Sequence, residues 1–381
     1  MTDAGTSHEQ RDSVRAGDRR PGPVTLAELT AGLIWPTLLR SPALAVQPPR
    51  VLVGLFTVAA LALVAWLFDS ALGLFGSEPL AAPVLEQVTL GLDSAAERLL
   101  ALDLVASATA LADAVFGVAV RASGERPVAA AALLLLLAPA WMVGGGAIAR
   151  MVGVDVAGRM NMSTADALSF SLRNTLSLSG AMLIPIVLMG ALALALKLAG
   201  WALLSVTVID LIGGVAYGLM IVVGLALVLV IVGFAGGQAL LAPAVAVEGG
   251  DAMDAVQRAY AYVIGRPGRA MLYGVFALVQ GAIVFVIARW IVAAALGITD
   301  RLATAWLGAD RARALLGYGD EASRPIAGWL IGEWHSLLWA VLTGFVVSLY
   351  FTSSTIVYML LRRVNDEQDL REVWMEPQRG A

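Results

Sequence analysis

Residues 238–273, QALLAPAVAVEGGDAMDAVQRAYAYVIGRPGRAMLY, decide the fold. An apolar helix ends here at Pro243–Gly250, a short amphipathic helix opens at Asp251, and the next apolar helix begins near Arg269. Asp251 follows two glycines, so its carboxylate is placed to accept from the free N–H groups of a first helical turn. Asp254, three residues on, sits where a reciprocal cap and the positive helix end both favour an acid. Met253, Val256, Tyr260 and Val263 fall on one apolar stripe. Asp254 and Arg258 have the acid-first i,i+4 order of a helix-surface ion pair. Arg266-Pro267 stops the helix, because proline lacks the N–H and disfavours helix in the residue before it. The pattern predicts a helix lying flat at a membrane interface between two spans.

Working outward, the same arrangement recurs. Thr25 with Glu28, and Ser163 with Asp166, repeat the capping spacing of Asp251 with Asp254. Each cap is followed by an amphipathic run, a breaker and a long apolar stretch. The recurrence suggests a threefold repeat of helix-hairpin units, closest between TADALSFSL (164–172) and AMDAVQRAY (252–260). The apolar stretches are 51–75, 128–149, 178–196, 212–240, 270–295 and 336–361. At about 1.5 Å per residue they are long enough to cross a hydrocarbon layer of roughly 30 Å. The fold class predicted is all-α: a polytopic membrane protein with six transmembrane helices and amphipathic interfacial helices. Residues 25–363 form the membrane domain, residues 1–24 a disordered polar tail, and residues 364–381 a second polar tail.

Composition agrees. Of 381 residues, 59% are hydrophobic and only 14% charged, whereas soluble domains carry roughly 25% charged residues. A net charge of −4 argues against nucleic acid as a partner. There is no cysteine, and the two histidines, His8 and His335, lie far apart in sequence. Disulfides, thiolate chemistry and histidine-based metal or triad sites are thereby excluded, and no catalytic, cofactor-binding or metal-binding residue is assigned.

Two connections are long. In 77–126, Glu86, Asp93 and Glu97 oppose Leu85, Val88, Leu92 and Leu99, which fits either a helix lying in the headgroups or a soluble cap. Residues 297–334 resemble it, with an amphipathic run from Thr299, a turn at 317–320, and Trp329, Trp334 and Trp339 marking the return to the membrane. Pro139 with Gly144–Gly146 suggests a kink or close helix approach in the second span. Gly214/Gly218, Gly233/Gly237 and the Gly274–Ala277–Gly281–Ala288 stripe are small-residue faces suited to helix packing in lipid. The fourth span has no breaker before Pro243, so it either tilts and protrudes or bends at Gly233–Gly237.

Segments 1–50, 150–176, 248–269 and 362–381 hold 16 of the 25 Arg and Lys residues. Cytoplasmic segments attract the positive excess, so both termini are expected on the cytoplasmic side of the cell (inner) membrane.

Across 244–275, Glu248, Asp254, Ala255, Arg258, Tyr260, Arg266 and Pro267 form a pattern that resembles uncharacterised bacterial multi-pass membrane proteins. It is similar, more distantly, to the membrane domain accompanying some glycerophosphoryl diester phosphodiesterases. The resemblance implies a six-helix bundle with cytoplasmic amphipathic elbows. It does not imply phosphodiesterase activity, which belongs to a separate soluble domain in that family.

Ionisable residues at membrane depth are the best functional pointers, because each is costly unless paired or wetted. Asp69 is a candidate coupling-ion or proton site, weighed against simple snorkelling at the span boundary. Asp210 is a candidate partner of Lys197, and Arg289 a candidate partner of Asp69, Asp210 or a lipid headgroup. Asp254 and Arg258 mark the amphipathic elbow. Glu333 and His335 are the one partial lead toward interfacial chemistry. Three roles fit the sequence. The first is a non-enzymatic scaffold, assembly or lipid-interacting component, with membrane lipid and a second copy or another membrane protein as partners. The second is a transporter or channel, which requires a polar cavity at the glycine-rich segments. The third is a membrane enzyme acting on lipids.

Overall fold

Prolines start most of the long helices and glycines stop the chain between them. Pro48, Pro127 and Pro267 occupy first-turn positions, where the missing N–H is not needed, and Pro325 precedes the last helix. Gly76, Gly158, Gly249 and Gly317 take positive φ at the turns. The computed structural model describes residues 35–158, 162–205, 210–318 and 325–374. The chain divides between Thr37 and Leu38. The capped helix expected from Thr25 and Glu28 falls outside the described residues, and the account below concerns Leu38 onward.

The described chain is 88% helical with no strand. In order the helices are α1 (Ser41–Ala45), α2 (Pro48–Leu74), α3 (Ala81–Leu100), α4 (Leu104–Ala112), α5 (Val118–Glu125), α6 (Pro127–Val156), α7 (Thr164–Arg173), α8 (Thr175–Leu204), α9 (Asp210–Glu248), α10 (Ala252–Gly265), α11 (Pro267–Thr304), α12 (Ala309–Leu316) and α13 (Ile326–Asp366). Six of them, α2, α6, α8, α9, α11 and α13, are long and apolar enough to cross a membrane, so the chain is an all-α multi-pass membrane fold.

Helix α6 lies at the centre, and its glycines explain why. A methyl group on Gly144 would fall 1.9 Å from Thr57 of α2, on Gly145 2.2 Å from Phe351 of α13, and on Gly146 2.7 Å from Leu178 of α8. Three neighbours therefore approach α6 through three consecutive missing side chains. Helices α2 and α13 meet through a second such contact: a methyl on Gly54 would lie 2.0 Å from the Gly344 carbonyl oxygen. The close approach expected at Gly144–Gly146 is present.

Four expectations are revised. Helix α9 extends past the 212–240 span read from the sequence, through Pro243 to Glu248, and so ends within Pro243–Gly250. Ala242, Ala244 and Val245 around the proline are buried, so neighbouring helices hold the chain helical through it. Both ends of the segment 297–334 belong to its flanking helices, which reach Thr304 and start at Ile326, with the short α12 between them. With 38 residues in α11 and 41 in α13, each is about 60 Å long and protrudes well beyond a 30 Å hydrocarbon layer. The Gly233/Gly237 face packs on α10 rather than on another span: Tyr260 and Ala259 fill it, and Val263 meets Gly236. Gly214, Gly218, Gly274 and Gly281 have nothing within 4 Å of where a side chain would be.

The connection 77–126 folds as α3, α4, a π-helical turn at Asp113–Gly117, and α5. It packs onto the ends of α2 and α6 through Ala65, Leu80, Ala81 and Leu133, with Phe68, Leu72, Val84 and Leu85 around them. This cap lies at the end opposite α7 and α10.

Candidate functional site at the arginine-rich end

Four helix termini and two interfacial helices converge where α2 begins and α6, α9 and α13 end. Helix α9 delivers Ala246, Val247 and Glu248, then stops at Gly249 (φ +67). Two needs meet at this glycine. Glycine is the residue least strained at that φ, and an added methyl would strike the Trp374 ring at 2.5 Å. Asp251 then caps α10 by accepting from the Asp254 N–H at 2.9 Å. Ser163 caps α7 in the same way, accepting from Asp166 N–H at 3.1 Å. Both caps sit at the same end of the bundle, with α7 against α6 and α10 against α8 and α9.

Glu248 is the centre of the charge cluster. Arg362 Nη1 lies 3.2 Å and Arg258 Nη1 3.6 Å from its carboxylate, and the Tyr358 hydroxyl donates to it at 3.1 Å. Arg258 also reaches Asp366 at 4.0 Å, and the Tyr262 hydroxyl donates to the same Asp366 carboxylate. Burial works against the charge of Arg258, but Glu248 and the neighbouring phenols more than offset it, holding its pKa above the ordinary arginine value. Burial first, and then Asp366, pushes the Tyr262 phenol above the usual tyrosine range.

Two further arginines are almost fully buried nearby. Arg150 donates to the Ala246 carbonyl at 2.9 Å, and its guanidinium stacks over the Phe170 ring at 4.7 Å and the Trp374 ring at 5.7 Å. Arg50 pairs with Asp155 at 2.7 Å and donates to the Leu44 carbonyl at 2.6 Å. The segment after α13 folds back over this cluster. Arg362 donates to Gln368 and to the Glu372 carbonyl, Trp374 N–H donates to the Val247 carbonyl at 3.0 Å, and Val373 is buried. Residues 367–374 are thus a packed strap, where the sequence reads as a polar tail.

The sequence-derived candidates scatter. Arg258 belongs to this cluster, but Glu248 and Asp366 take it in place of Asp254. The reason is geometric: Asp254 stands in the first turn of α10, beside its own cap, while Glu248 lies across the turn from Arg258. Asp69 is at the opposite end, where its carboxylate accepts from the Leu80, Ala81 and Ala82 N–H groups at 2.8, 2.8 and 2.7 Å. It serves as an N-cap for α3 supplied by another helix. Arg289 pairs with Asp93 of α3, and not with Asp69. Asp210 opens α9, and its side chain lies outside what the structure describes. His335 meets Asp300 of α11 at 3.1 Å, while Glu333 is exposed two residues away. Among the described residues no group of three His, Cys, Asp or Glu is placed to hold a metal.

Sequence reasoning missed Glu248 as a hub, and with it Arg50, Arg150 and Arg362. In the sequence Arg50, Arg150 and Arg362 each stand at the edge of an apolar stretch. The available signal was that an arginine abutting a glycine- or hydroxyl-rich span can be drawn inward, where the guanidinium finds carbonyls and rings.

Fold and site together define a class: a polytopic helical membrane protein whose spans are fastened at one end by buried arginines. Comparison with protein-family models, curated proteins and solved structures finds no match for this chain.

Proposed function

We propose that this chain is a non-enzymatic membrane scaffold, an assembly or lipid-interacting component of the cell membrane with both termini in the cytoplasm. The observation that carries the reading is the filling of the glycine-rich segments. A transporter of this architecture needs a wetted path at membrane depth. Here Thr57, Phe351 and Leu178 occupy the space at Gly144–Gly146, and Tyr260, Ala259 and Val263 that at Gly233–Gly237. The charge cluster supports the same reading. Its acids and arginines satisfy one another at the helix ends, which suits a rigid clamp better than a site awaiting a substrate. A second copy of the chain or another membrane protein is the partner expected for the apolar faces of α9 and α11.

The natural chain contains no cysteine, so single cysteines test this directly. Ser179→Cys and Thr352→Cys are near-isosteric changes at buried positions, 7% and 0% exposed. In sealed vesicles neither should react with a membrane-impermeant thiol reagent applied from either side. Labelling of both, from opposite sides and depending on an added solute, would overturn the scaffold reading in favour of transport.

A further inference from the structure

At the cap end, α3 and α11 flank a shallow, open cleft of about 220 Å³ lined by Ala96, Glu97, Leu100, Val286, Arg289 and Trp290. We propose that this cleft binds the headgroup of a zwitterionic phospholipid, with its phosphate on Arg289 and its ammonium group on Glu97 and the Trp290 ring. The proposal rests on the lipid-interacting part of the scaffold reading and names the lipid class, and its lipid-retention test can fail without changing the thiol-labelling result.

The position fits a lipid. Arg289 lies 22 residues along α11 from Pro267, about 33 Å at 1.5 Å per residue. That places it at the far boundary of a hydrocarbon layer roughly 30 Å thick, at headgroup level. Trp290 is 68% exposed, as an interfacial tryptophan facing lipid is. The size fits a headgroup as well, since pockets for drug-sized ligands start at about 300 Å³.

The chemistry selects the headgroup. Arg289 engages Asp93 through one nitrogen, and a guanidinium has five N–H donors, so it retains donors for a phosphate. Leu100, Val286 and Ala96 supply an apolar floor for the start of the acyl chains. Arg289 alone would favour any anionic lipid. Glu97, on the same wall, disfavours a headgroup of net negative charge and favours one whose phosphate is balanced by an ammonium. An ammonium against an exposed indole also gains a cation–π contact.

The test uses the full-length protein purified with equal phosphatidylethanolamine and phosphatidylglycerol and examined by native mass spectrometry. Wild type should retain phosphatidylethanolamine preferentially. Glu97→Gln, which leaves the Arg289–Asp93 pair in place, should reduce that preference about tenfold, the effect of losing one charge-assisted contact. Leu100→Trp should fill the cleft and remove bound lipid of either kind, with thermal melting confirming that both variants fold. Equal retention by wild type and Leu100→Trp would overturn the proposal. A preference for phosphatidylglycerol that Glu97→Gln leaves unchanged would overturn it too, by showing an anionic-lipid site. Displacement of the lipid by millimolar glycerophosphoethanolamine would overturn the assignment to a membrane lipid, since the ligand would then be a soluble headgroup.

Discussion

The two ends of this bundle are built on opposite principles. At the arginine-rich end, α13 is buried almost without interruption from Val347 to Arg362, and α6 from Gly144 to Val154. Backbones touch there through glycine, and charges are enclosed. Toward the cap end fewer residues of the spans are enclosed, and the contacts there are the Ala65–Leu80–Ala81–Leu133 cluster and Gly213 against the Leu203 carbonyl. No residue of α11 is buried, and Leu211, Val215, Leu219 and Val222 of α9 are each at least 60% exposed. In lipid that exposure carries no hydrophobic penalty, so helices hold together only where packing and polar contacts hold them. The contrast teaches that the fold is specified from one end, with the rest of each span guided by it.

The glycines offer the sharpest way to break this contrast. Gly54→Val would push a side chain into the Gly344 backbone, and Gly145→Val into Phe351. Overpacking costs about 1–3 kcal/mol in ordinary cores. A backbone neighbour cannot swing aside, so Gly54→Val should exceed that range and abolish the monodisperse species in size-exclusion chromatography. Gly214→Val and Gly218→Val, near the cap end with open space around them, should leave the elution profile and melting temperature unchanged. Equal damage at both ends would refute the one-ended account.

Charge pairs give the next largest effect. Arg362 is 4% exposed at its side chain and linked to Glu248. Arg362→Leu leaves the partly buried Glu248 carboxylate to Arg258 and Tyr358 alone and should cost about 1.5–3 kcal/mol, the loss of a hydrogen bond between charged groups. Arg289→Leu at the cap end removes a pair whose side chains are 32% and 50% exposed. Screening there limits the loss to about 0–1 kcal/mol. Detergent or urea unfolding of the two variants under one condition checks the ratio.

Much of the fold was legible because local rules determined it. Six spans follow from run length, and the Ser163 and Asp251 caps follow from spacing alone. Gly144–Gly146 announced close approach because only glycine tolerates it. What failed depended on partners distant in the chain. Pro243 reads as a terminator until the packing around Ala242–Val245 is known. Arg258 reads as the partner of Asp254 until α13 brings Asp366, and the end of α9 brings Glu248. Asp69, read as an intramembrane charge, caps a helix whose first turn happens to lie above it. Periodicity carries no information on such meetings, since it records which face is apolar and not what that face will touch.

Trp374 sharpens the comparison at smaller scale. The strap it ends covers Arg150 and Gly249, so Trp374→Ala removes ring contacts to Arg150 and Phe170. The expected loss is about 2 kcal/mol, from one cation–π and one aromatic contact at a partly exposed site. Hydrogen exchange should rise in residues 246–250 and 367–374 together while the cap is unaffected. Exchange confined to the strap would mean that it rests on the bundle without bracing it.

The smallest effects belong to the caps, and they separate the two ends by how far a local loss spreads. Asp251→Ala removes the acceptor for the Asp254 N–H, at about 1 kcal/mol. Because α10 fills the Gly233–Gly237 face and carries Arg258 into the charge cluster, that loss should be felt by the whole bundle as a lower melting temperature. Asp69→Ala removes the acceptor for three N–H groups and should cost α3 somewhat more, about 1–2 kcal/mol. Yet α3 packs only on the outer ends of α2 and α6, away from the glycine contacts and the charge cluster, so its first turn should exchange faster while the melting temperature stays near wild type. The larger local loss would then have the smaller global consequence, which is the outcome a bundle specified from one end requires.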